Sequence, residues 1–296
     1  MNNTINSVSE YLEFLCTLKQ IRNMTHTVSS FTFFRGQANE KWKISPSLYR
    51  KGLFLSENTL LTEIRHICPN DIPENKFAAL VKMQHYGMPT RLLDTTTNPL
   101  VALYFACEDT SQKDNNGAVF VFPNLAVSWS TNPVVELIMD FVFNYHPQHV
   151  CVDKMLCNTQ RSYPNSAEPL ILKDIESLLY YLTIPVFPVM PAKTNARIEA
   201  QDGAFFIFGM SLCNQEKILN SGTSETSYYS FDPVEIEDHQ KLCQSVVKLI
   251  IPSSVKETIL EQLDMLGINE RKLFPDLSHQ ISYAVSTVIK NRFSVN

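Results

Sequence analysis

The chain has 296 residues and a net charge of −5, and these values exclude several classes of protein. Its 25 Lys and Arg against 30 Asp and Glu leave no global positive field, so we expect no bulk nucleic-acid binding. Hydrophobic residues make up 44% and charged residues 19% of the chain, which is ordinary for a folded protein and unlike a disordered one.

The cysteines and the N-terminal residues indicate in which cellular compartment the protein resides. Seven cysteines are scattered through apolar runs, and no two have the CxxC spacing of a zinc or redox site. Free thiols of this kind are typical of a reducing compartment. The first residues lack the basic and apolar regions of a signal peptide, and no stretch approaches the ~18 apolar residues of a membrane span. We therefore expect a cytoplasmic protein with no membrane partner.

The hydrophobic pattern predicts the elements of the N-terminal half in chain order. A helix begins near Ser7. A β-rich run follows over 28–37, and its aromatic residues lead directly to Arg35 and Gly36 near its end. Pro99 suits the first turn of a later helix. The helices predicted after the first strand cover 57–67, 74–85 and 99–106, and residues 92–98 between the last two are predicted as a polar turn.

The rest of the chain continues the mixture of strands and helices, and the whole order lacks strict βαβ alternation, which favours an α+β fold. Strands are predicted at 118–122, 186–190, 204–208 and 246–251, and helices at 134–143, 173–182, 253–267 and 278–293. A Pro-, Ser- and Asn-rich stretch over 146–169 indicates an insertion or lid. We therefore divide the chain into a helical lead-in (1–30), a core (31–252) with an insertion around 130–183, and C-terminal helices packing on that core (253–296).

Arg35 is the first residue whose chemistry needs an explanation. It follows apolar and aromatic strand positions, so its guanidinium ends near the boundary of the core and needs an anionic or carbonyl partner. Gly36 beside it leaves backbone room for a ligand. The alternative is a structural ion pair with one of the carboxylates.

The densest group of polar side chains lies over 84–94, between two predicted helices, where binding residues often concentrate. The candidates for ligand binding there are His85, Tyr86, Arg91 and Asp94. These side chains could instead cap helices: His85 the preceding one, and Asp94, Thr95 or Asn98 the next. Asn98 before Pro99 is a good N-cap, which favours a structural role for it.

Three blocks of sequence resemble the FRG domain family, which is named for its tripeptide. The first is Phe34-Arg35-Gly36-Gln37, and the second, over 84–106, is similar to the family pattern QHYG-x-PTRLLD-x-T-x-NPLxAL-x-F-A. The third, over 197–205, resembles the family's R-x-x-x-Q-x-G-x-F strand entry. This chain has Thr95 where the family usually has a tryptophan.

The order of these blocks further resembles ADP-ribosyltransferases, which implies a split β core flanked by helices. In that comparison Arg35 is the early arginine, Thr95 and Thr97 are the hydroxyl pair, and Glu199 or Gln201 takes the last position. The resemblance implies NAD as a substrate whose nicotinamide–ribose bond is broken, by a transferase or an NAD glycohydrolase. It also suggests a toxin or antiphage effector whose macromolecular acceptor the sequence does not identify.

The implied chemistry gives each candidate a role. Arg35 would bind phosphate or ribose oxygens, one of the threonines would orient the nicotinamide ribose, and Tyr86 or Tyr104 would stack on the nicotinamide ring. Gln201 has no titratable proton and cannot act as a general base. If the segment is extended, Glu199 points to the same face and supplies the charge. The full set of predicted binding residues is Arg35, Gly36, Gln37, His85, Tyr86, Arg91, Asp94, Thr95 and Thr97.

Two other classes of function stay open. A non-catalytic module could use the same cleft to sense a nucleotide or a nucleic-acid end, and a protein–protein interaction domain would need these residues only as caps and ion pairs. His146 and His149 have no acidic or cysteine partner at ligand spacing, so we predict no metal site. Lys41-Trp42-Lys43 is a weak signal for nucleotide stacking.

Overall fold

The computed structural model describes residues 3–22, 30–162, 174–193, 195–219, 225–236 and 245–293. The strands are β1 (Ser30–Gln37), β2 (Leu92–Thr96), β3 (Gly117–Ala126), β4 (Ser128–Trp129), β5 (Val150–Cys151), β6 (Val186–Met190), β7 (Gly203–Phe208), β8 (Met210–Leu219), β9 (Glu225–Pro233) and β10 (Val247–Ile251). The helices are α1 (Val8–Arg22), α2 (Ser47–Arg50), α3 (Glu57–Ile67), α4 (Lys76–His85), α5 (Pro99–Cys107), α6 (Pro133–Asn144), α7 (Val152–Ser162), α8 (Ile175–Thr183), α9 (Ala196–Ala200), α10 (Lys256–Met265), α11 (Glu270–Leu273) and α12 (Leu277–Phe293).

A large mixed sheet organises the molecule. Seven strands follow the order β10-β3-β1-β2-β7-β6-β4, and β5-β9-β8 form a second, smaller sheet. In the large sheet every neighbouring pair is antiparallel except β4 and β6. Helices flank this sheet, so the predicted α+β class is confirmed at that level.

The large sheet has a narrow seam between β1 and β2. β1 pairs with β3 from Ser30 to Gln37, and β2 pairs with β7 along its whole length. Between β1 and β2, both fully described, the register consists of the single pair Phe34 and Thr96. The sheet therefore consists of two well-paired units, β10-β3-β1 and β2-β7-β6-β4. They are joined to each other by a single residue pair and separate on either side of it.

Two groups of helices cover the same face of these two units. Phe34 packs with α1, α5 and α10, while Leu92 and Phe205 pack with α3, α4 and α6. The strand register puts these three side chains on one face, because alternate residues of a strand share a face and directly paired residues do too. The gap between the two helix groups therefore lies over the seam.

A close contact fixes α5 on β1. A Cβ atom added to Gly36 would stand 1.9 Å from the carbonyl oxygen of Ala102, and one added to Gly117 on β3 would stand 2.2 Å from that of Ala106. Only glycine allows the helix backbone to approach so closely. The room that Gly36 leaves on its Cβ side is thus filled by α5.

Several local predictions are confirmed. The Asn98 side chain accepts hydrogen bonds from the backbone N–H groups of Leu100 and Val101, as an N-cap does. Strands occupy all four β runs predicted after residue 106, as β3, β6, β7 and β10, and the two C-terminal helices are α10 and α12. No helix among the described residues is both long enough and apolar enough to cross a membrane.

One predicted turn is wrong. Most of the polar turn expected over 92–98 is strand β2. β2 is central and buries Leu92, Leu93, Thr95 and Thr96, so side chains on both of its faces are covered and no alternation marks it as a strand. The predicted insertion contains α6, β5, α7 and α8, and residues 163–173 within it lie outside the described part.

Candidate functional site

A cleft of about 430 Å³ opens at the seam. Its walls come from the ends of β1, β2 and β7, from α4 on one side, from the end of α5 on the other, and from α9. Arg35, Thr95 and Gln201, which come from distant parts of the chain, all border it. Gly36, Gln37, His85 and Asp94, also predicted from the sequence, border it as well.

Arg35 spans the seam with its side chain. Its Nη1 donates to the backbone oxygen of Asp94 on the neighbouring strand, at 2.5 Å. Its Nε is buried and has no partner among the described residues. Burial lowers the pKa of Arg35 to about 10; the carboxylate of Asp94 opposes this change and the nearby cation Arg50 adds to it. The guanidinium is thus charged at neutral pH and keeps donor capacity unused.

Thr95 and Gln37 add two more unused polar atoms. Thr95 is 5% exposed and Gln37 is buried, yet neither Thr95 Oγ1 nor Gln37 Oε1 has a partner in the described part of the chain. Leaving a buried polar atom unsatisfied costs about 1–3 kcal/mol. Arg35 Nε, Thr95 Oγ1 and Gln37 Oε1 belong to residues that border one cleft, which is the arrangement expected of a polar ligand site.

A short hydrogen-bond chain holds Asp94 at the edge of the cleft. Gln84 Nε2 donates to Asp94 Oδ1 at 2.9 Å, and the hydroxyl of buried Thr90 donates to Gln84 Oε1. The neighbouring His85 borders the cleft, whereas Tyr86 is 77% exposed and does not. The carboxylate of Asp94 is therefore positioned by side chains from the end of α4.

Arg91 lies away from the cleft, in a buried ion pair. Its Nε is 3.0 Å from both carboxylate oxygens of Glu57, its Nη2 donates to Glu57 Oε2 at 2.5 Å, and its Nη1 donates to the backbone oxygen of Phe208. Burial acts to lower the pKa of Arg91, but the Glu57 carboxylate outweighs it and the pKa is raised. These contacts hold α3 to the start of β2.

The segment that carries Glu199 and Gln201 is not extended. Residues 196–200 form α9, and Asp202 leads directly into β7 with a φ of 45°. The premise that Glu199 and Gln201 share one face of a strand is therefore wrong. Gln201 borders the cleft while its Nε2 donates to the backbone oxygen of Leu273, and Glu199 is exposed and does not border the cleft.

Thr97 also lies outside the cleft lining. Its backbone N–H donates to the carbonyl oxygen of Asp202 at 3.0 Å, and its hydroxyl lies 3.4 Å from the same oxygen. Thr96 contacts this turn too, through a hydroxyl that donates to the backbone oxygen of Gln201 at 2.7 Å. The two threonines thus hold the turn between α9 and β7 against the end of β2.

Two acidic residues at one corner of the cleft, Glu108 and Asp109, were not predicted from the sequence. Glu108 and Asp109 follow α5 directly and border the cleft, and Arg197 of α9 borders it too. Burial raises the pKa of Glu108, and the carboxylates of Asp109 and Glu270 raise it further, while Arg197 opposes them. Charged residues just after a helix are usually exposed, so the sequence offers no local signal for this corner.

Sequence features indicated some of the other cleft residues only in part. Gln84 and Arg197 lie in the sequence blocks that resemble the FRG domain family, but neither was predicted to bind a ligand. Trp42, from the weak Lys41-Trp42-Lys43 signal, is 42% exposed and borders the cleft. Arg50, at the end of α2, is the cation that no sequence feature singled out.

The comparison with known families identifies the part of the chain that holds most of this cleft. Residues 30–115 match the model of the FRG domain family. No curated protein matches the chain, and no solved structure does. The matched range contains Arg35, Thr95 and Glu108, whereas α9 lies beyond it. The chain therefore carries an FRG domain over residues 30–115.

Proposed function

We propose that this FRG-domain protein is an ADP-ribosyltransferase-like enzyme that binds NAD in the cleft and breaks its nicotinamide–ribose bond. One observation carries the proposal: Arg35 Nε and Thr95 Oγ1, on neighbouring strands, are buried, have no partner among the residues that the structure describes, and belong to residues that border the same cleft. A ligand with phosphate and hydroxyl oxygens would satisfy both atoms.

NAD offers the groups that these residues lack. Its pyrophosphate is an anion suited to the fork of donors on Arg35, with Arg50 adding a second positive charge nearby. Its ribose hydroxyls can donate to Gln37 Oε1 and exchange hydrogen bonds with Thr95. Trp42 provides an aromatic surface on which a base can stack.

The reaction also needs negative charge near the ribose. Breaking the nicotinamide–ribose bond passes through a state with positive charge on the sugar, and a carboxylate held in place lowers the energy of that state. Asp94 supplies one, since its Oδ1 is fixed by Gln84. The proposal therefore pairs a cationic group for the phosphates with an anionic group for the ribose.

A nucleotide-sensing module without catalysis is the second candidate, and one observation favours it. Gln201 is tethered to the backbone oxygen of Leu273, and Glu199 does not border the cleft. A module that only binds needs donors and a stacking surface, which the cleft has, and no residue at the last position of the transferase pattern.

The experiment incubates the protein with NAD under reducing conditions and measures NAD binding by calorimetry, nicotinamide release by chromatography and transferred mass by mass spectrometry. We expect binding and nicotinamide release in the wild type. A hydrogen bond to a charged group contributes about 1.5–3 kcal/mol, so Arg35→Ala should weaken binding at least about tenfold.

Arg271→Ala is the matched control, because it removes an exposed guanidinium that does not border the cleft. It should bind NAD as the wild type does. Binding without nicotinamide release would favour the sensing module. A wild type that does not bind NAD at all would overturn the proposal.

A further inference from the structure

Among the described residues three carboxylates border the cleft, and two of them use one oxygen each for a hydrogen bond within the protein. Asp94 Oδ1 accepts from Gln84 Nε2, and Asp109 Oδ1 accepts from the backbone N–H of Ser111 at 2.9 Å and from its hydroxyl at 2.6 Å. The Glu108 carboxylate, which is partly buried, accepts no hydrogen bond from any described residue. Glu108 is thus the one of these three carboxylates with both oxygens free to accept from a ligand, whereas Asp94 and Asp109 each have one oxygen already in use.

The position of Glu108 is fixed relative to Arg35. Glu108 directly follows α5, and its backbone N–H donates to Tyr104, which continues the hydrogen-bonding pattern of that helix. Backbone atoms of α5 lie against Gly36, the residue next to Arg35, at a distance that admits no side chain. The guanidinium and the carboxylate are therefore carried by two elements in direct backbone contact, as a preorganised site requires.

We propose that Glu108 is the catalytic proton acceptor of the cleft, which rests on the proposed function and adds the base that the sequence did not identify. As the C1′–N bond of NAD breaks, its electron pair goes to the nitrogen and neutral nicotinamide leaves. The oxygen of water or of an acceptor hydroxyl forms a new bond to C1′. Its proton passes to the Glu108 carboxylate and then to solvent.

The surroundings of Glu108 make it a better base than an ordinary carboxylate. Burial raises its pKa, and so do Asp109 beside it and Glu270 on α11, while Arg197 on α9 acts in the opposite direction. Tyr104, one turn earlier in α5, also faces it, and its own pKa is raised by burial and by Glu108. Proton transfer is most efficient when the pKa of the catalytic group approaches the working pH.

The decisive variant is Glu108→Gln, which keeps the shape of the side chain and removes its ability to take a proton. We expect NAD binding, measured by calorimetry, to stay within about threefold of the wild type, since affinity should depend mainly on Arg35. We expect the rate constant of nicotinamide release, measured in a single turnover, to fall about 100- to 10,000-fold.

The pH profile separates a catalytic role from a structural one. In the wild type the rate should fall toward acid pH with a midpoint above that of an ordinary carboxyl group, because protonated Glu108 cannot accept a proton. This acid limb should be absent in Glu108→Gln. Glu270→Gln is the control: it removes one of the charges that raise the Glu108 pKa, so the limb should move to lower pH without loss of the maximal rate.

The outcomes distinguish this inference from the proposed function. A wild type that releases no nicotinamide would overturn the enzymatic function and this inference with it. Nicotinamide release that persists unchanged in Glu108→Gln would overturn this inference alone. Loss of release in Glu199→Gln with full release in Glu108→Gln would assign the base to Glu199 instead.

Discussion

Arg35 and Arg91 were both expected to bind a ligand, and the two regions that hold them differ in one respect. Around Arg91, the carboxylate of Glu57 and the backbone oxygen of Phe208 accept from Nε, Nη1 and Nη2. Around Arg35, a single backbone oxygen accepts from Nη1, and the buried Nε has no partner among the residues the structure describes. Every guanidinium nitrogen has a partner in one region, and a buried nitrogen is left without one in the other.

The pKa values of the two arginines differ in the same way as their hydrogen bonding. The pKa of Arg91 is raised because Glu57 outweighs burial, whereas the pKa of Arg35 is lowered to about 10 because burial outweighs Asp94. A buried cation with its counter-ion in the protein contributes to the fold, and removing its partner is costly. A buried cation without one gains most from an anion that comes from outside. Residue type alone does not distinguish the two cases; the neighbours do.

Of the substitutions that test this comparison, Glu57→Gln should have the largest effect on stability. It leaves the guanidinium of Arg91, a residue that is 1% exposed, buried without its counter-ion. Breaking a buried pair from one side costs about 3–5 kcal/mol. We expect a loss of this size in the free energy of unfolding, measured by urea titration followed by circular dichroism.

Two further variants serve as controls for this prediction. Glu235→Gln breaks the exposed pair with Lys43 and should change the free energy of unfolding by about 1 kcal/mol or less. Combining Glu57→Leu with Arg91→Met replaces both charges by apolar groups and should recover much of the loss. A loss below about 1 kcal/mol in Glu57→Gln would contradict the structural role given to Arg91.

Gly36→Ala should have an intermediate effect, and it tests whether the residue beside Arg35 belongs to the packing of the fold. The added Cβ would meet the carbonyl oxygen of Ala102 and the backbone nitrogen of Ala106, so α5 must move away from β1. Overpacking of this kind costs about 1–3 kcal/mol. Gly203→Ala, whose nearest contact would be 3.3 Å, should cost less in the same unfolding measurement.

The sequence predicted those parts of the fold that short segments specify. Asn98 and Pro99 mark the start of α5 because an N-cap acts on the helix that follows it at once. β2 was predicted as a turn because its identity as a strand comes from β1 and β7, which are distant in the chain. A central strand with both faces covered shows no alternation of apolar and polar residues.

The cleft was predicted only in part, again because its geometry depends on residues that are distant in the chain. The family resemblance pointed to Arg35 and Thr95, which border it, but the partner of Arg91 lies 34 residues away and no local pattern indicates it. Glu108 was missed because its setting depends on Glu270 and Arg197, which lie far along the chain. Residue types were thus predictable, and whether each was satisfied by the protein or left for a ligand was not.

Arg35→Ala should have the smallest effect on stability, although it is expected to weaken NAD binding. The change removes one hydrogen bond from a charged donor to Asp94, worth about 1.5–3 kcal/mol, and at the same time relieves the burial cost, of comparable size, of a cation that lacks a counter-ion within 4.0 Å among the described residues. These two contributions oppose each other, so the free energy of unfolding should change by less than about 1 kcal/mol. Urea titration beside Glu57→Gln measures the difference directly. If Arg35→Ala destabilised the protein as much as Glu57→Gln does, both arginines would be structural, and the cleft would lose the residue on which its proposed chemistry depends.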